Sequence, residues 1–160
     1  MKIVLGADVY GFDLKEAVKK HLQEKGIEVE DLGITESSQD TPYYRTASQA
    51  AKMVGNQEAD RAILVCSTGM GMAIVANKHP KVFAGVCENA EGAKNSRSIN
   101  NSNILTLGGV VTTATVAREI VDTWLNTAFT QGWEQPIQEW LENSMGDIAE
   151  IEKEQFLPFS

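Results

Sequence analysis

One stretch near the middle of the chain limits what the sequence can fold into. It opens as an unbroken apolar run, Ile63 to Val65, which is typical of a strand buried on both faces. It then passes through the turn CSTGMG into a segment with helical spacing that ends at Lys78. At such a junction a thiol, two hydroxyls and several backbone N–H groups can face one small space, where the helix dipole favours negative charge. The stretch therefore predicts a strand and a helix with polar chemistry at the turn between them.

The thiol of Cys66 ends this strand, and two interpretations of it are open. The helix dipole can stabilise the thiolate form that a catalytic base needs. Free cysteines are also commonly small buried hydrophobes with no chemical role. Gly69 and Gly71 would let a ligand come close to the backbone in either case. Position alone does not separate a functional thiol from a structural one.

The rest of the chain alternates apolar runs with segments of helical period. Strands are predicted at residues 2–6, 27–32, 61–66, 82–87 and 104–107, with a polar loop at 33–40. Helices are predicted from Asp13 to the Lys25-Gly26 stop, from Pro42 to Gly55, up to Lys78, and over 91–98, 116–125 and 134–154.

This alternation predicts one α/β domain over residues 1–160. The predicted architecture is a doubly wound parallel sheet of five strands, flavodoxin-like or Rossmann-like, in the order 2-1-3-4-5. Ligands bind such sheets outside the carboxyl ends of the strands, at the point where the strand order reverses. Asp8, which follows strand one, is therefore expected beside Cys66.

The composition of the chain limits which classes of binding partner and which cellular setting are expected. The formal net charge of −8 argues against nucleic acid and against an anionic membrane surface. Cys66 and Cys87 are too few for a disulfide framework, so a reducing, cytoplasmic setting is expected. No apolar segment approaches the ~20 residues of a membrane span. His21 and His79 stand apart from other ligand-type residues, so no metal site is expected.

The last predicted helix follows no strand that would bury it. Its apolar stripe is expected to pack on another subunit. This packing predicts a homodimer or a dimer of dimers. The alternative is packing on its own sheet. The stripe contains Ile137, Trp140, Leu141, Met145, Ile148 and Ile151, with Trp133 just before it.

Five motifs occur in an order that resembles a known family. They are GAD at 6–8, DTPYY at 40–44, CSTGMG at 66–71, ANK at 76–78 and NNSN at 100–103. From Met1 to about Phe129 the chain resembles the sugar-phosphate isomerases that comprise type B ribose-5-phosphate isomerase and the galactose-6-phosphate isomerase subunits. A CxTGxG turn before a helix that ends in ANK is specific as a combination, although each piece alone is weak.

The resemblance implies an aldose–ketose interconversion through a cis-enediolate, without a cofactor. Cys66 would move the proton between C1 and C2 of the sugar, and Asn100 would assist from the neighbouring subunit. Thr68, Asp8 and Tyr44 would orient the substrate. The backbone amides from Ser67 to Gly71 would hold the enediolate oxygens, as enolisation requires. Substrate contacts are thereby implied for Ser67, Gly69, Met70, Gly71, Tyr44 and Asn77.

The chain departs from the family pattern at the positions of two histidines. Val9 follows Asp8 and Ile99 precedes Asn100, where the family commonly has histidine. In the type B enzymes the second histidine helps to open the cyclic sugar. A substrate that never closes into a ring would not need it.

The family's phosphate-binding arginines are also replaced. Val110, Trp133 and Ile137 stand at those positions. Charge-assisted bonds to a dianion are strong, so either other cations hold the phosphate or the substrate differs. Arg97 is the candidate replacement nearest to Asn100 in sequence; Arg45, Lys94 and Arg118 are the others.

Three functional hypotheses remain. The first is an isomerase of this family with an altered, short or acyclic sugar phosphate as substrate. The second is a non-catalytic or partner-dependent subunit of a two-component isomerase. The third, a nucleotide or flavin binder, is the weakest because Gly69-Met-Gly71 lacks the full dinucleotide pattern.

Overall fold

Five parallel strands form a single sheet in the computed structural model, which describes residues 1–35 and 41–156. The strands are β1 (Lys2–Ala7), β2 (Glu28–Asp31), β3 (Arg61–Cys66), β4 (Ala84–Val86) and β5 (Ile104–Gly108). The helices are α1 (Phe12–Glu24), α2 (Tyr43–Gly55), α3 (Met70–Ala76), α4 (Ala90–Ser98), α5 (Ala114–Asn126) and α6 (Gln135–Phe156). The five-stranded α/β architecture is confirmed. Residues 36–40, which include the second half of the predicted loop and Asp40 of its motif, lie outside the described residues.

The strand order is β2-β1-β3-β5-β4, so the last two strands are interchanged relative to the predicted order. All five residues of β5 are buried, and β5 pairs with β3 on one side and β4 on the other. β4 is only three residues long and half-buried, as suits an edge strand. The predicted neighbourhood of β1 and β3 is correct, with Ala7 paired to Val65. This pairing brings the carboxyl ends of β1 and β3 together.

The sheet is covered by helices on both faces because its strands carry apolar residues on both sides. One face packs against α1 and α5, around the fully buried Trp124. The other packs against α2 and α3, where Ala47, Ala50 and Ala51 let α2 lie close to the strands. Cys66 belongs to this second cluster. Its side chain therefore leaves the sheet on the α2 and α3 side.

The long helix α6 contrasts with the other helices. Leu141 is the buried residue among its 22 positions, and Trp140 is 65% exposed. Its carboxyl-terminal half is tied to the body by a hydrogen bond of 2.6 Å from the Lys81 N–H to Glu152 Oε2. The apolar stripe is thus largely uncovered by this chain's own sheet. Packing of α6 on a second subunit stays a prediction.

Candidate active site

A cavity of about 300 Å³ lies at the carboxyl ends of β1 and β3, where the sheet topology predicts a ligand site. Asp8, which follows β1, and Cys66, which ends β3, both line it, as the sequence predicts. Its remaining lining residues are Tyr10, Tyr43, Ser67, Thr68 and Gly71. A larger cavity of about 480 Å³ runs along the edge of β4, but the thiol and the carboxylate lie in the smaller one.

Cys66 is held by the turn that follows it. Its Sγ accepts a hydrogen bond of 3.2 Å from the backbone N–H of Gly69, and the residue is 5% exposed. Its carbonyl oxygen accepts a hydrogen bond of 2.7 Å from the Gly109 N–H, which ties the strand end to the loop after β5. The sulfur therefore faces both a backbone donor and an open cavity. The amide donor thereby fixes the position of the sulfur at the edge of the cavity.

Gly69 gives this turn its shape. Its φ of 82° lies in the left-handed region that favours glycine, and it immediately precedes α3. A Cβ added there would lie 3.0 Å from the backbone carbonyl carbon of Leu107. The turn thus packs directly on the backbone of β5, which fixes the distance between the Gly69 N–H and the sulfur.

Asp8 is the second ionisable group of the cavity and is 8% exposed. Its Oδ1 accepts hydrogen bonds from the backbone N–H groups of Tyr10 at 3.0 Å and Gly11 at 3.1 Å. Burial raises the pKa of Asp8, and these two hydrogen bonds oppose that rise only in part. The carboxylate is oriented by the backbone while its charge is partly desolvated.

We predict that Asp8→Asn stabilises the fold at neutral pH while lowering activity. Because burial raises the folded-state pKa of Asp8, its contribution favours folding at low pH and is lost as the pH rises through that pKa. An amide oxygen can still accept both backbone bonds, so the variant removes mainly the buried charge. Its melting temperature should exceed that of the unmodified protein at pH 7, and the difference should shrink towards pH 4. kcat/KM should fall about tenfold or more, since a hydrogen bond to a charged group contributes about 1.5–3 kcal/mol.

The matched control is Asp13→Asn, on the exposed first turn of α1. It should show neither the stabilisation at neutral pH nor the loss of activity. An Asp8→Asn variant that melts below the unmodified protein at every pH would contradict this account of Asp8.

Several predicted site residues lie elsewhere in the fold. The Asn77 side chain bonds both the N–H and the carbonyl of Ala84, at 2.8 and 2.9 Å, and so joins the end of α3 to β4. Asn100 lines the cavity beside β4 and not the one beside Cys66. Tyr44 and Met70 are exposed next to lining residues.

Arg97 is also placed away from the Cys66 cavity. It is buried, and its guanidinium donates to the carbonyl oxygens of Thr127 and Ser102 and to Asn101 Oδ1. Burial lowers the pKa of Arg97 to about 10. These three bonds fix the guanidinium inside the fold. The structure therefore gives Arg97 an internal bracing role in place of the predicted substrate contact.

Two lining residues were missed by the sequence reasoning. Tyr10 follows Asp8 by two positions, and Tyr43 is the first residue of α2. The motif pointed to Tyr44, whereas the helix start turns Tyr43 towards the cavity. The one sequence signal for Tyr43 was the glycine at position 71 in the CSTGMG turn. A glycine there leaves room for a neighbouring ring, and the ring of Tyr43 packs against it. Neither His21 nor His79 lines this cavity.

The fold and the cavity define a doubly wound α/β protein whose thiol lies at the carboxyl ends of the central strands. The model of the family described as "Ribose/Galactose Isomerase" matches residues 3–139, so the chain belongs to this family. The predicted resemblance is confirmed, and the protein is an isomerase.

Three comparisons illustrate the relationship. The chain is 42% identical over 153 residues to 4-deoxy-4-sulfo-D-erythrose isomerase of Clostridium sp. (strain MSTE9), covering 96% of each chain. It is 42% identical over 134 residues to ribose-5-phosphate isomerase B of Escherichia coli (strain K12), covering 84% of this chain and 89% of the other. The structure of Clostridium thermocellum ribose-5-phosphate isomerase B superposes with a TM-score of 0.87 at 38% identity, covering 96% and 99% of the two chains.

Residues 1–35 and 41–156 contain no group of three or more His, Cys, Asp or Glu side chains placed to hold a metal ion. Within the same residues, no helix combines the length and apolar character that crossing a membrane requires.

Proposed function

We propose that the protein interconverts an acyclic four-carbon aldose and its ketose, the sugar bearing a terminal anionic group, with Cys66 as the base. The observation that carries this proposal is the content of the cavity: a thiol held by an amide donor and a carboxylate, with no imidazole among the described lining residues. Such a site can move a proton between adjacent carbons. Its described lining residues lack the imidazole to which the family resemblance assigns the opening of the cyclic sugar.

The proposed reaction begins at the aldose. The Cys66 thiolate removes the proton from C2, the C–H electron pair becomes the C1–C2 double bond, and the C1=O π pair moves to O1, which takes the hydroxyl proton of the neighbouring O2. The electron pair left on O2 then forms the C2 carbonyl, and the C1–C2 double-bond pair takes the proton back from Cys66 at C1, which gives the ketose and restores the thiolate. The Thr68 hydroxyl and the amides of the 67–71 turn donate to the oxygens, where a single donor typically contributes about 2.7–4 kcal/mol, and the Asp8 carboxylate orients the sugar by accepting from a hydroxyl group. The Gly69 amide already donates to sulfur, so its role is to hold the thiolate.

The residues around the site favour a four-carbon substrate. The exposed Val9 occupies the position next to Asp8, and Ile99 precedes Asn100, where the family commonly has histidines. A four-carbon sugar whose C4 carries a sulfonate or a phosphate ester has no free C4 hydroxyl with which to form a five-membered ring. Among the relatives, the names 4-deoxy-4-sulfo-D-erythrose isomerase and D-erythrulose-4-phosphate isomerase both denote four-carbon compounds. A substrate that cannot form a five-membered ring thus matches a chain that has Val9 and Ile99 at the family's histidine positions.

The terminal group is proposed to be the singly charged sulfonate in preference to a phosphate. Val110, Trp133 and Ile137 are exposed apolar residues where the family has cations. A phosphate ester carries a charge of about −1.5 to −2 at pH 7, and each missing charge-assisted bond weakens its binding. A singly charged sulfonate loses less binding free energy than a phosphate when the cations are absent.

A second subunit is proposed to complete the site. Asn100 lies on a different cavity from Cys66 in the same chain, so it can assist only in another chain's site. The uncovered stripe of α6 offers the apolar surface for such a dimer. A monomeric mass by sedimentation equilibrium at assay concentration would contradict this arrangement.

The experiment that tests the function is a substrate panel with the purified protein alone. The panel contains 4-deoxy-4-sulfo-D-erythrose, D-erythrulose 4-phosphate and D-ribose 5-phosphate, with conversion followed by NMR. We expect the highest kcat/KM for the sulfonate, a lower one for the four-carbon phosphate and the lowest for the sugar that must open a ring. Absence of turnover on both four-carbon compounds would overturn the proposal and favour the partner-dependent subunit, which gains activity only with a second kind of chain.

A further inference from the structure

Helix α2 contributes one wall of the active-site cavity, and this wall is an aromatic ring that packs against a glycine. Tyr43, the first residue of α2, lines the cavity, and its ring lies against the backbone of Gly71. A Cβ added to Gly71 would lie 2.7 Å from Tyr43 Cε2 and 3.1 Å from Cζ. The ring therefore fills the space that a side chain at position 71 would otherwise occupy.

The Tyr43 ring is supported on two sides. Gly71 backs it from α3, and the ring of Tyr44 meets it edge-on, with 5.5 Å between centroids and an interplanar angle of 82°. Pro42 precedes the helix and fixes the backbone at its start. Tyr10, the other phenol of the cavity, is 67% exposed, against 38% for Tyr43. Tyr43 is thus the aromatic wall that can act as a fixed limit.

We propose that the ring of Tyr43 is a specificity-determining wall that limits the length of the sugar's carbon chain to four. The inference rests on the proposed function, because it assumes that C1 and C2 of the sugar lie at Cys66. With those carbons held at the sulfur, on this inference the rest of the sugar lies along the ring of Tyr43, which lines the same cavity of about 300 Å³. A fifth carbon then meets the ring. The limit comes from the ring's bulk and not from its hydroxyl.

The test compares two ketose phosphates that differ by one carbon. D-Erythrulose 4-phosphate and D-ribulose 5-phosphate both lack the free terminal hydroxyl needed for a five-membered ring, so ring opening does not enter the comparison. Specificity is the ratio of kcat/KM for the five-carbon compound to kcat/KM for the four-carbon one. A pocket that accommodates or rejects one carbon typically changes such a ratio by about 10- to 200-fold.

Tyr43→Ala should raise this ratio about tenfold or more by opening the wall. Tyr43→Phe keeps the ring and should leave the ratio unchanged. A purely structural loss would lower both rates together and leave the ratio where it was. An unchanged ratio in Tyr43→Ala, or an equal rise in Tyr43→Phe, would overturn the inference.

Two further outcomes keep this test separate from the proposed function. If the unmodified protein converts neither ketose, the proposed function fails. If it converts erythrulose 4-phosphate and Tyr43→Ala leaves the ratio unchanged, only the inference fails. The contact itself is tested by thermal unfolding: Gly71→Ala should lower the melting temperature in the unmodified protein but not in the Tyr43→Ala background. A drop of equal size in both backgrounds would show that Tyr43 does not fill this space.

Discussion

Replacement of Cys66 by serine is expected to lower kcat/KM for aldose–ketose interconversion by about 100- to 10,000-fold, the usual contribution of a positioned general base. Serine keeps the size of the side chain and can still accept the Gly69 hydrogen bond, so the turn should keep its shape. Its hydroxyl does not ionise at neutral pH as a thiol can. The measurement is the initial rate on the four-carbon substrates together with a thermal melt.

Cys87 supplies the matched control. It is also a buried cysteine at the carboxyl end of a strand, but it lies in the core cluster on the α1 and α5 face. Burial raises the pKa of the Cys87 thiol, which keeps it protonated. Cys87→Ala should therefore retain kcat/KM. Full turnover in Cys66→Ser, or an equal loss in both variants, would remove Cys66 from the mechanism.

Gly69→Ala is expected to have the second-largest effect. The left-handed φ costs a non-glycine residue about 1–2 kcal/mol, and the added Cβ would press on the backbone of Leu107 at 3.0 Å. Relief of this contact must shift the turn whose N–H holds the sulfur. Since misplacement of a reacting group by about 1 Å can cost about 100-fold, kcat should fall by about that factor. Initial rates and the free energy of unfolding measure the two consequences.

Gly26→Ala separates backbone strain from the site. Gly26 also has a left-handed φ, of 71°, but an added Cβ there would meet nothing within 4 Å. This variant should lose about 1–2 kcal/mol of stability from strain alone and keep its activity. If Gly69→Ala and Gly26→Ala behaved alike in both measurements, the packing of the turn against β5 would have no part in catalysis.

The elements and the switch point could be predicted because their signals are local. Arg61–Cys66 reads as a buried strand from its apolar run alone, and the glycines of CSTGMG mark the turn into α3. The order of β4 and β5 could not be predicted. Both segments are short apolar runs, and which of them lies inside the sheet is decided by pairing with β3, a contact between residues distant in sequence.

The candidate site was predictable where chemistry follows a strand end, as for Asp8 and Cys66. It was not predictable where a polar side chain has a choice of partners. Arg97 satisfies its guanidinium with carbonyl oxygens of its own fold, and Asn77 completes the edge of β4. Whether Tyr43 or Tyr44 faces the cavity depends on the residue at which α2 begins, because each step along a helix rotates the side-chain direction. Two adjacent tyrosines in the sequence do not reveal that starting residue.

The most direct test of the account is the fate of the transferred hydrogen when the isomerisation is run in D₂O. The transfer of a proton through the Cys66 sulfur predicts that the ketose formed from a four-carbon aldose carries solvent deuterium at C1. Cys66→Ser should lose this incorporation along with turnover. Two results would contradict a cysteine-based enediolate mechanism. One is a ketose whose C1 carries the full amount of the hydrogen that was on C2 of the aldose, and the other is deuterium incorporation by Cys66→Ser at the unmodified protein's rate.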